Sequence, residues 1–180
     1  MNKILLSAAI IASLGIAAIA PQTARAADGT ITFTGKVVAN TCVFSVNGGS
    51  SSNTVALPVV FTSSLATAGA TTGTTNFTIG VTNCDTNLAS VQALFSGGNI
   101  DATTGNLTNT GSATNVEVQL LNGTTPMALN AGTASGQNSP VGTLSSGATT
   151  LNYAARYIAV GGAATSGLVN TSVAYTMTYQ

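Results

Sequence analysis

Apolar and polar residues alternate in two stretches near the ends of the chain. Gly29-Thr30-Ile31-Thr32-Phe33-Thr34-Gly35-Lys36-Val37 sets Gly29, Ile31, Phe33, Gly35 and Val37 on one side and polar residues on the other. Val173-Ala174-Tyr175-Thr176-Met177-Thr178-Tyr179-Gln180 repeats the pattern with Val173, Tyr175, Met177 and Tyr179. A period of two is that of a strand with one buried and one wet face. The second stretch has no following hairpin partner, which predicts a strand at a sheet edge, and an apolar edge is a docking place for a further strand. The same alternation also fits an ordinary first and last strand of a closed sandwich.

Between these ends the pattern predicts a run of short strands. Val37 to Val46 continues as a second strand that carries Cys42, and Asn47 to Asn53 is a Gly/Ser turn. Thr54 to Phe61 is apolar with Pro58 inside it, which marks an edge or bulged strand. Ser64 to Thr75 reads as a small-residue loop, and Asn76 to Val81 as a cleanly alternating strand ending at Cys84. Val91 to Phe95 is another strand, followed by an exposed Gly/Asn/Thr loop over Ser96 to Ala113. Val116 to Leu120 runs into Asn122-Gly123, a strong hairpin signal, with Met127 to Leu129 as the returning segment. Asn130 to Thr150 is small and polar; Leu151 to Val160 is the longest late strand. Strands at this spacing predict an all-β sandwich or barrel, with no repeat and no linker to a second domain.

The first 26 residues have the form of a secretory signal peptide. Met1-Asn2-Lys3 gives a positive start, Ile4 to Ala20 is apolar apart from Ser7 and Ser13, and Ala24-Arg25-Ala26 fits the small-x-small cleavage rule. A membrane anchor is the alternative, but the apolar run is at the short limit for a span. Removing 26 of the 180 residues leaves 154, enough for one domain with a sizeable core.

Charge narrows the function. After cleavage the chain keeps Lys36 and Arg156 against Asp28, Asp85, Asp101 and Glu117, a net charge of −2. Two cations cannot form the basic face that nucleic acid or anionic lipid requires. So little charge leaves weak self-repulsion, which suits a subunit that packs against copies of itself. In an exported chain the two cysteines, Cys42 and Cys84, read as a disulfide. Two buried thiols are the alternative, and no His is present to complete a tetrahedral metal site.

The search for catalytic chemistry returns little. Serine nucleophiles lack their usual base without His, and Lys36 sits in an alternating strand where it should face solvent. Four acids are spread singly along the sequence, with Asp85 reading as a turn residue and Asp101 as a solvated loop residue. Asn76-Phe77-Thr78, Asn106-Leu107-Thr108, Asn122-Gly123-Thr124 and Asn170-Thr171-Ser172 match the glycosylation pattern, as chance dictates in so Thr-rich a chain. No enzyme activity and no cofactor are expected.

Four stretches resemble the fimbrial pilins of the chaperone–usher pathway, the type 1 major pilins most closely. They are Gly29 to Val38 leading into Cys42; Cys84-Asp85-Thr86-Asn87-Leu88-Ala89-Ser90; Gly111 to Leu121; and Ala155-Arg156-Tyr157 onward, with Gly167 fourteenth from the terminus and Tyr179 penultimate. The likeness spans essentially all of residues 27–180.

This resemblance implies an incomplete immunoglobulin-like β-sandwich lacking its last strand, completed by donor-strand exchange. It implies a signal peptide over 1–26, an N-terminal donor extension over 27–40 and a pilin domain over 41–180. Gly29, Ile31, Phe33, Gly35 and Val37 would form the donor face. Val173, Tyr175, Met177 and Tyr179 would border the groove and pair with a periplasmic chaperone, and Gly167 is carried over as a family glycine. The implied partners are neighbouring pilins, the chaperone and the outer-membrane usher; the implied location is the cell-surface fimbrium. Residues 27–41 are too few to hold the extra binding domain of a tip adhesin. A secreted monomeric β-sandwich binding module, or a minor or adaptor pilin, remains as the alternative reading. Phe77, Phe95, Tyr153 and Tyr157 read as core.

Overall fold

A computed structural model describes residues 29–35, 37 and 42–180. The expected signal peptide, Asp28, Lys36 and residues 38–41 of the expected second strand lie outside the described residues. The chain divides into two units, Met1–Lys36 and Val37–Gln180. Within the first, the described segment Gly29–Gly35 forms no strand, although its alternation predicts one. Alternation states what a strand would bury; a ladder also needs a partner, and this segment has none among the described residues.

The second unit is an all-β sandwich of two antiparallel sheets. Its strands are β1 (Val43–Val46), β2 (Thr71–Thr82), β3 (Ser90–Ser96), β4 (Leu107–Thr108), β5 (Val116–Asn122), β6 (Thr125–Pro126), β7 (Gly142–Thr143), β8 (Thr149–Ala159) and β9 (Ala174–Tyr179). One sheet has the order β1-β2-β8-β5-β4 with β6 added to β5; the other has the order β7-β3-β9. A single 3-10 turn, Thr62–Leu65, precedes β2.

The alternating stretches of the sandwich fold as their patterns predict. β2 and β8 pair with Phe77 opposite Tyr153 and Ile79 opposite Leu151, all four buried. Val118 and Leu120 of β5 bury the same face. Ala93 and Phe95 meet them from the other sheet. The Phe77 ring stacks on Tyr153 at 5.3 Å, and Phe95 meets the same ring edge-on at 5.3 Å. Tyr153 therefore joins the sheets, each aromatic contact contributing about 0.5–1.5 kcal/mol beyond its buried area. β2 carries a bulge between Thr72 and Thr75. Gly73 there has φ +71°, and a Cβ would stand 2.9 Å from the Tyr157 ring, so the bend and the close ring both call for glycine.

Burial pushes the Tyr153 hydroxyl up to about 12, partly offset by hydrogen bonds with Ser139 and the Ala93 backbone. A raised folded pKa contributes stability that is present below the unfolded value near 10 and lost as pH rises through about 12. Stability should therefore fall by about 3 kcal/mol across that window, at ~1.4 kcal/mol per unit. Tyr157, Tyr175 and Tyr179 shift the same way through burial and add smaller amounts. Urea midpoints against pH check this: Tyr153→Phe should flatten most of the alkaline slope, and an unchanged slope would contradict the account.

Several expectations need correction. Residues 54–61 form no strand or bridge, so the expected edge strand is an unpaired segment. The expected loop Ser64 to Thr75 contains the end of the 3-10 turn and the first residues of β2. Within the expected exposed loop Ser96 to Ala113, β4 forms and Asn106 and Leu107 are buried. Asn106 is satisfied there because its Nδ2 donates to Glu117 Oε2 at 3.0 Å and its Oδ1 accepts from Gln119 Nε2 at 3.0 Å. The strand returning from the Asn122-Gly123 turn is Thr125–Pro126, and Met127 and Leu129 are core residues beyond it. The polar stretch 130–150 holds β7 and buries Ala134, Gln137 and Ser139.

Candidate functional site: an open strand edge

β9 is a strand with one ladder. It pairs with β3 along its whole length, from Val91 opposite Tyr179 to Ser96 opposite Ala174. Its far end is tied down as well: Gln180 O accepts from the N–H groups of Ala89 and Ser90, and Gln180 N–H donates to Ser90 O. The opposite edge of β9 has no ladder partner among the described residues. β9 thus ends its sheet, as the sequence pattern predicts.

Burial shows what is missing beside it. On β3, Val91, Ala93 and Phe95 are buried. On β9 the equivalent inward residues Tyr175 and Met177 are only half-buried, with Val173 just before them, although all three pack on the main core cluster. Tyr179 is 40% exposed. A second apolar row meets the same cluster: Val55 and Leu57, half-buried, from the unpaired segment 54–61. Val59 and Phe61 in that segment face solvent. Tyr175 Oη donates to Ser51 O at 2.7 Å, which brings β9 to the turn leading into this segment. One core is therefore flanked by two apolar rows, one on a strand whose outer edge is open and one on a segment with no ladder. Sequence reasoning missed the role of residues 54–61; an apolar run with no hairpin partner was the available signal.

The other expected residues fall as follows. Cys42 and Cys84 form a disulfide, with Cα atoms 4.3 Å apart, in a small cluster with Val81 and Val91 against which Met177 also packs. Gly167 lies in the loop before β9, where a Cβ would fall on Ala113 N and 2.8 Å from Ala113 Cα. It is a close-packing glycine between two loops, also held by Ala113 N–H donating to Leu168 O at 3.1 Å. Ile31 and Phe33 are 80% and 90% exposed, and Val37 is fully exposed. Gly29 and Gly35 are exposed as well.

The acids among the described residues serve structure. Asp101 Oδ1 accepts from the N–H groups of Thr103 and Thr104, which hold its carboxyl below the usual range. Asp85 accepts from Asn87, as a turn residue does. Glu117 accepts from Thr104 Oγ1 and Asn106 Nδ2. The site offers apolar surface and unpaired backbone, a chemistry of strand addition.

Residues 31–180 match the family profile described as Fimbrial protein. The chain belongs to the fimbrial protein family. As such it is a structural subunit that assembles with other pilin subunits into surface fimbriae. It is 44% identical to an F17 fimbrial protein of Escherichia coli, covering 93% of this chain and 96% of that one. It is 45% identical to the major fimbrial subunit SMF-1 of Stenotrophomonas maltophilia, over 90% of this chain and 98% of that one. It is 41% identical to the type-1 fimbrial protein A chain of E. coli K12, over 84% of each chain. In fold it is similar to the CupB6 tip adhesin of Pseudomonas aeruginosa, with a TM-score of 0.51 at 16% identity, over 64% of this chain and 32% of that one.

Proposed function

We propose that this fimbrial subunit polymerises by donor-strand exchange, with residues 27–40 of one copy completing the sandwich of the next. The observation that carries the reading is the pairing of opposites: an open edge on β9 beside an apolar row without a ladder, and an exposed segment whose alternation asks for one. The donor face is Gly29, Ile31, Phe33, Gly35 and Val37; Ile31, Phe33 and Val37 fill gaps in the acceptor. The acceptor is bordered by Val173, Tyr175, Met177 and Tyr179 on one side and Val55 and Leu57 on the other. Three buried anchors supply on the order of 5–9 kcal/mol before ordering costs. Backbone hydrogen bonds along the inserted strand add affinity, as in other strand additions.

Before assembly, the exposed edge would need cover. A periplasmic chaperone lends a strand to it, and an outer-membrane usher exchanges that strand for the neighbour's segment. The subunit works by assembly and not by catalysis. The 45% identical relative is named a major fimbrial subunit, which supports a place in the fibre shaft.

A peptide with the sequence of residues 29–38 tests the reading on mature subunit that lacks residues 27–38. Peptide at about 100 times its Kd should raise the Tm by roughly 5–10 °C, since binding to the folded state alone adds about 2.7 kcal/mol and each kcal/mol moves a domain of this size by about 2–4 °C, and it should protect β9 amides from exchange. No rise in Tm and no protection of β9 would overturn it.

A further inference from the structure

β9 is not the only strand of its sheet with a neighbour missing. On the outer side of β3, β7 pairs only with Ser90 and Val91. In an antiparallel ladder the backbone groups of alternate residues point to the same side, so Ala93 and Phe95 turn theirs outward beside Val91. Such an exposed row invites any strand with a free edge, including the donor segment of another copy.

Side chains occupy this row. Gln137 is 1% exposed. Its Oε1 accepts from Phe95 N–H at 2.9 Å, and its Nε2 donates to Phe95 O at 2.7 Å. Both bonds that a neighbouring strand would make with Phe95 are thus supplied by one amide side chain. The same Nε2 reaches Leu129 O at 2.9 Å and Ala131 O at 3.1 Å, which ties the 127–139 segment to the strand. Beside it the Tyr153 hydroxyl meets Ser139 Oγ at 3.0 Å. Gln92 Nε2 donates to Ser139 O at 2.9 Å. At Phe95 one side chain, Gln137, thus does what a strand does elsewhere, while Gln92 and Tyr153 hold Ser139 beside it.

We propose that the buried Gln137 amide acts as a strand substitute that closes the outer edge of β3 and confines strand addition to the β9 edge, so that each subunit accepts one donor strand. The inference rests on the donor-strand reading for what is being excluded, and on the Gln137 geometry for how.

Fibres assembled from the full chain test it, because every β9 edge in them is already filled. In wild-type fibres the Phe95 amide should exchange within about tenfold of a ladder amide such as Ile79. The 29–38 peptide, in excess, should not bind along their length. Gln137→Met keeps the length and loses the amide. Its fibres should exchange Phe95 at least tenfold faster and take up to one further peptide per subunit, or bundle side by side. Wild-type Phe95 exchanging at the rate of an exposed loop would overturn the proposal. So would Gln137→Met fibres that keep Phe95 protected and bind no peptide. If that variant does not assemble, the wild-type exchange rate decides alone. Failure of the chain to polymerise through residues 29–37 would instead refute the donor reading and leave Phe95 protection to be judged by itself.

Discussion

Phe33→Asp is expected to abolish fibres while leaving the subunit folded and able to bind its chaperone. Phe33 is 90% exposed and belongs to none of the core clusters of the sandwich, so the carboxylate costs the single subunit little. In the donor role the same side chain is buried in the neighbour. The substitution removes roughly 1.5–3 kcal/mol of apolar burial and adds the cost of a buried, unpaired charge, which is several kcal/mol more. The combined loss corresponds to a fall of at least about a thousandfold in the subunit–subunit equilibrium, since each ~1.4 kcal/mol is tenfold. Electron microscopy of surface material, with co-purification of chaperone and subunit, reads both halves of this result. Fibres of normal length from the variant would remove Phe33 from the donor face.

Replacing both cysteines with serine is the second large change. The bond closes a loop with a sequence separation of 42 residues. The chain-entropy relation assigns about 4 kcal/mol to such a loop, with the mechanism model-dependent. With a slope of about 2 kcal/mol/M, the urea midpoint should fall by about 2 M. The loss should also reach the binding edge: the disulfide cluster holds Val81 and Val91, and Met177 of β9 packs on it. Amides of β9 near Met177 should therefore exchange faster in the variant than those near Ala174. A change in midpoint of less than about 0.5 M would show that this loop is held by packing alone.

Much of this architecture is written in local pattern. Phe77, Ile79 and Val81 alternate with polar residues, and they fold as β2 because every second side chain finds the core. Leu151 to Val160 and the closing alternation around Tyr175 and Met177 are legible for the same reason. The cysteine pair in an exported chain and the Asn122-Gly123 turn, with Gly123 at φ +61°, are equally direct. The apolar face of residues 29–37 is visible as well, together with its demand for a partner.

Pairing is not local, and there the pattern stops. Residues 29–35 alternate as well as any strand in the molecule, yet form none, because alternation sets only which face is apolar and a ladder also requires a second backbone. Residues 54–61 look like a strand and remain unpaired for the matching reason. Asn106 and Gln137 belong to stretches whose composition suggests solvent. They are buried because Glu117, Gln119 and the Phe95 backbone, distant in sequence, satisfy their amides. Side-chain periodicity tells which face of a strand seeks the core. Which edge of a strand stays open depends on where the chain's other backbones run, and that is set by packing across the sandwich.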